Sequence, residues 1–168
     1  MLKKAKRFVG FLVTAMLLSS AALAADNFKN GQDITGSWKI NVTIPPGSSV
    51  CPSGGEPCVI FAMATATSDR TVIQTAAIPG TSNGHGVWVR TGLRHFVVLS
   101  LYFRLGLAGE LIGTSETVTT FELDKSGLQG TGTYENTLID LHGNVLGTFS
   151  GDASATRIVQ SKPSAAQP

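Results

Sequence analysis

The chain has 168 residues, 42% of them hydrophobic and 7% aromatic, with 19 Gly and two Cys. That length suits one domain, and the apolar fraction is enough for a single core, which excludes a disordered chain. Four of the 13 basic residues lie in residues 1–24, which hold no acidic residue; the rest of the chain carries nine basic against 11 acidic side chains, a net charge of −2. A nucleic-acid binder needs a dense basic face to displace counterions from phosphates, so that class is excluded as well.

Residues 1–24 read as a secretory signal peptide. Lys3, Lys4, Lys6 and Arg7 precede an apolar stretch over 8–18, and Ala22-Leu23-Ala24 puts small residues where a signal peptidase tests them. Cleavage after Ala24 leaves 144 residues in the periplasm or outside the cell. The apolar stretch is short for a bilayer span, which needs about 20 residues. A later apolar run, 96–107, is short and contains Arg104, so no stable membrane insertion is expected. Residues 161–168 are Ser, Ala, Pro, Gln and one Lys and read as a disordered tail. Residues 25–160 form a single domain on this reading.

The first strand-like run is 37–44, where Trp38, Ile40, Val42 and Ile44 alternate with Lys39, Asn41 and Thr43, and Pro45-Pro46-Gly47 ends it. Cys51 and Cys58, the two cysteines, lie in the Pro/Gly-rich loop that follows. An even count in an exported chain favours a local disulfide, worth roughly 2–3 kcal/mol at most in the chain-entropy account. The loop holds no further metal ligands, and the spacing is not Cys-x-x-Cys. Further runs are 58–67, 71–78, 85–90, 94–105, 111–123, 129–141 and 145–158, each separated from the next by Gly, Pro, Asn or Asp turn residues. The connections are short, so neighbours should pair antiparallel. Eight such strands without a covering helix are best satisfied by closure into an up-and-down barrel; a two-sheet sandwich is the alternative. Gly113, Gly130, Gly132, Gly147 and Gly151 suit the coiling that closure demands.

Gly36-Ser37-Trp38 opens the first strand and Arg157 lies in the last. In this, in length and in strand count the chain resembles the calycin superfamily, which includes lipocalins; secreted barrels of the allene-oxide-cyclase and dirigent type are similar in layout. The resemblance implies that Arg157 packs across the Trp38 ring at a closed end, a structural pair worth roughly 1 kcal/mol.

A small barrel interior holds side chains or one small ligand, so chemistry depends on which residues point inward. Candidate ligand-binding positions are Trp88, Arg90, Phe96, Tyr102, Glu116 and Tyr134. Tyr134 shares its face with Gly130, Gly132 and Asn136, whose small size leaves room for a guest. In the fifth run, Phe96, Val98, Ser100, Tyr102 and Arg104 form one face and His95, Val97, Leu99, Leu101 and Phe103 the other. Both are more apolar than a solvated wall requires. Either the outside packs against a partner subunit, as a homodimer or trimer, or the inside is an enlarged apolar cavity. His85, His95 and His142 form no His-x-His or His-x-x-x-His pair, so no metal or cofactor is expected. No Gly-x-Ser-x-Gly marks a nucleophile. The first expectation is therefore a non-enzymatic, exported barrel that carries or sequesters a small apolar or amphipathic molecule. The alternatives are a cofactor-free cyclase or isomerase using Glu116, Tyr102 or Tyr134 for proton transfer, and a non-catalytic assembly module.

Overall fold

A computed structural model describes residues 33–47, 51 and 56–159. The signal-peptide and tail expectations, on residues 1–24 and 161–168, lie outside the described residues. Alternating apolar residues and short turns give eight strands: β1 (Gly36–Ile44), β2 (Cys58–Ala66), β3 (Thr71–Ala76), β4 (Gly84–Arg90), β5 (His95–Leu105), β6 (Leu111–Leu123), β7 (Gln129–Asp140) and β8 (Val145–Arg157). No helix occurs among the described residues. Each strand pairs antiparallel with the next, and β8 returns to β1, so the sheet closes into a barrel in sequence order. This is the all-β, eight-stranded up-and-down architecture expected, not a sandwich. Cys51 and Cys58 are bridged, with Cα atoms 5.7 Å apart, which is consistent with an oxidising compartment.

The seam runs from Trp38 opposite Arg157 to Val42 opposite Ala153. Beyond it the last strands continue: β6 and β8 have 13 residues each, against six in β3 and seven in β4. β3 ends at Ala76, two residues short of the expected run, where Ala77 N–H still bonds the Phe61 carbonyl as the chain turns towards Pro79-Gly80.

One end is filled. Trp38, Val72, Trp88, Phe96, Phe121 and Leu123 are buried in one apolar cluster. The Trp38 and Phe121 rings meet edge to face at 6.0 Å, and Trp88 and Phe96 do so at 5.9 Å, the arrangement that aromatic quadrupoles favour. Arg157 clamps this end: its guanidinium carbon lies 4.4 Å from the Trp38 ring centre. Its Nε donates to the Gly127 carbonyl at 2.8 Å, and its terminal nitrogens donate to the carbonyls of Thr35 and Asp33. One cation thus satisfies oxygens from the lead into β1 and from the β6–β7 turn. Gly36 is required beside it, because its φ is +125° and a Cβ there would stand 3.0 Å from the Arg157 guanidinium.

Candidate functional site

Above the filled end the barrel encloses a cavity of about 140 Å³. Its floor is Trp38 and Phe121, and it extends to the opposite end of the barrel, where Ile78 and Thr81 of the β3–β4 connection line it. Most of the wall is aliphatic, from Ile40, Val42 and Ile44 on β1 to Ile60, Ala62 and Ala64 on β2. Alanines on β2 and β8 leave this space open. Where β5 and β6 place large rings inward, at Phe96 and Phe121, the barrel is filled instead.

Two polar groups interrupt the wall. On β6 and β7, Asn136 donates its amide N–H to Ser115 Oγ at 2.7 Å and to Thr117 Oγ1 at 2.6 Å, and Ser115 Oγ donates to Asn136 Oδ1 at 2.9 Å. Thr117 Oγ1 accepts in this set, so its own proton is available to a guest. On β3 and β5, the Tyr102 hydroxyl donates to Gln74 Oε1, which leaves the Gln74 amide N–H groups facing the cavity as donors. Burial pushes the Tyr102 hydroxyl up to about 12. Burial, with Asp152 nearby, also raises Tyr134, whose hydroxyl donates to the Thr43 carbonyl at 3.3 Å. Among the described lining residues these two tyrosines are the only ionisable groups. Both stay neutral at pH 7, because each holds its proton more tightly than an ordinary tyrosine.

The six candidate positions separate into three places. Tyr102 and Tyr134 line the cavity. Trp88 and Phe96 belong to the filled end, where Trp88 Nε1 donates to the Thr67 carbonyl at 2.9 Å. Arg90 lies with them, its guanidinium carbon 5.2 Å from the Phe96 ring centre. None of these three lines the cavity: the inward face of β4 and the start of β5 meet the aromatic cluster before they reach open space. Glu116 does not line it either. Ser115 and Thr117 take the inward positions of β6, so the period of two turns Glu116 to the exposed outer wall. The room expected beside Gly130 is occupied by the protein itself, since a Cβ there would stand 2.3 Å from Phe121 Cζ.

Gln74, Ser115, Thr117 and Asn136 were not picked out by sequence reasoning. Small polar residues on a strand look alike on either face until the register is known. One signal was present in Gly84-His85-Gly86. A Cβ at Gly84 would stand 2.4 Å from the Tyr102 ring, so this glycine gives the ring space to lie inside the wall and reach Gln74.

In β5 the Phe96, Val98, Ser100 and Tyr102 face is buried, and Leu99, Leu101 and Phe103 are exposed. Cavity and apolar outer surface are therefore both present. No family model and no curated protein matches this chain.

Proposed function

We propose that the protein is an exported, calycin-type barrel that binds a small, neutral, largely apolar molecule carrying a hydrogen-bond acceptor such as a carbonyl oxygen, for carriage or sequestration. The observation that carries this reading is an aliphatic cavity of about 140 Å³ whose described lining has no group charged at neutral pH. A charged guest would lose its hydration there without an opposing charge, at a cost of several kcal/mol. A neutral guest loses little and gains by burying apolar surface. The free donors, on Thr117 and Gln74, set the polarity expected of the guest. The volume is close to that of a cavity of about 150 Å³ that takes up benzene in another protein, which favours a ring-sized guest over a long acyl chain. The leader-like residues 1–24 and the disulfide support export, and Gly36, Trp38 and Arg157 support the calycin kinship.

The test is native mass spectrometry of protein purified from its exporting host, followed by denaturing extraction and titration with methyl benzoate and with benzoate. A retained neutral molecule, or uptake of methyl benzoate with rejection of benzoate, supports the reading. A protein that carries nothing and takes up neither compound overturns it. Conversion of a retained molecule on re-addition to the protein moves the assignment to the cyclase or isomerase class.

A further inference from the structure

The outer wall of the barrel is divided. On β2 to β5, nine large apolar side chains point outward and remain exposed, from Phe61 (67%) and Met63 through Ile73 and Val87 to Leu99 and Phe103 (52%). The register makes the surface continuous. Val87 lies beside Leu99 and Leu99 beside Val118, while in the next row Ile73, His85, Leu101 and Glu116 follow one another across four strands. Apart from the exposed Leu141, Val145 and Leu146 at the β7–β8 turn, the outward positions on the other side are of another kind: Thr131, Thr133 and Glu135 on β7, Ser150, Asp152 and Ser154 on β8, and Lys39 and Asn41 on β1. With about half of each apolar side chain exposed, the nine offer on the order of 800 Å², more than the roughly 300–600 Å² of the largest patch on a typical monomer and about one side of a standard protein–protein interface.

We infer that this face is a two-fold interface with a second copy of this chain. The area matches what such a dimer buries on each side. A two-fold axis through the middle of the patch turns the apolar face of one copy onto that of the other, as an isologous contact requires. The cavity stays inside each barrel, so this interface is independent of what the cavity binds.

Sedimentation velocity of the exported chain, up to about 100 µM, tests the inference, since a standard-sized interface is populated well below that concentration. A dimer is expected. Leu99→Asp at the centre should weaken it about 100-fold and Met63→Lys at the margin about tenfold, while Thr133→Asp on the polar wall leaves it intact. Circular dichroism reports whether each variant keeps the barrel, and the two apolar-wall variants check each other. A wild-type monomer at about 100 µM, a trimer, or a dimer indifferent to both Leu99→Asp and Met63→Lys overturns the inference. A monomer that instead sediments with neutral phosphatidylcholine vesicles assigns the face to a lipid surface and overturns it as well.

Discussion

At one end of the barrel Arg157 gathers the carbonyls of Asp33, Thr35 and Gly127 over the Trp38 ring, while further along the side chains of Ser115, Thr117 and Asn136 hydrogen-bond one another beside a cavity. The two regions use polar groups for different ends. In the first, backbone oxygens outside the sheet ladder would be left unpaired if the cation were removed, so the side chain and the fold depend on each other. In the second, side chains satisfy side chains, and a change there leaves the backbone pairing of β6 and β7 intact. Stability is therefore concentrated where the barrel is filled, and recognition where it is hollow.

The largest effect that separates the two regions is expected from Arg157→Met. It keeps much of the aliphatic volume but removes three donors and the contact with Trp38, and should cost about 3 kcal/mol, read as a lower denaturant midpoint at unchanged slope. A loss below about 1 kcal/mol would mean that the clamp is not what holds this end. Next comes Ala62→Leu, on the cavity wall. It should lower methyl benzoate uptake about tenfold, equivalent to about 1.4 kcal/mol, while the denaturant midpoint changes little; equal losses in both would erase the distinction between the regions.

The smallest effect concerns Tyr102. Tyr102→Phe removes the hydrogen bond to Gln74 and should cost about 1 kcal/mol at neutral pH. The hydroxyl is also a weak acid raised from 10.0 to about 12 by burial, so the folded protein holds this proton more tightly than the unfolded chain. That contribution is complete below about pH 10 and is lost as the pH rises towards about 12. Denaturant midpoints followed across this range should fall less steeply for Tyr102→Phe than for the wild type. Parallel curves would mean that Tyr102 is not held in a dry site.

The strands were readable because their signals are local. Trp38, Ile40, Val42 and Ile44 alternate over one strand, and Asp124-Lys125-Ser126-Gly127 turns the chain, with Gly127 at φ 68°. Trp38 and Arg157 were readable as a pair through the calycin resemblance, and they do stack. The cavity was harder. Trp88 and Phe96 are aromatic and inward-facing, which made them candidates, yet height along the barrel places them in the filled end. Glu116 could not be assigned to a face because Thr114, Ser115, Thr117 and Thr119 are of similar polarity on both sides of β6.

Alternation of side chains with a period of two, turn residues at the right intervals and the spacing of two cysteines are properties of neighbouring residues, and the sequence by itself determined from them eight strands, their order and a local disulfide. The position of an inward residue relative to the ends of the barrel depends on the stagger between strands, which is the sum of every pairwise register around the closed sheet. Only that closure puts Gln74 against Tyr102 and Asn136 against Ser115. It also gathers the exposed apolar residues of β2 to β5 onto one side of the wall, while mid-strand positions of β7 and β8 on the other side carry threonine, serine and charge.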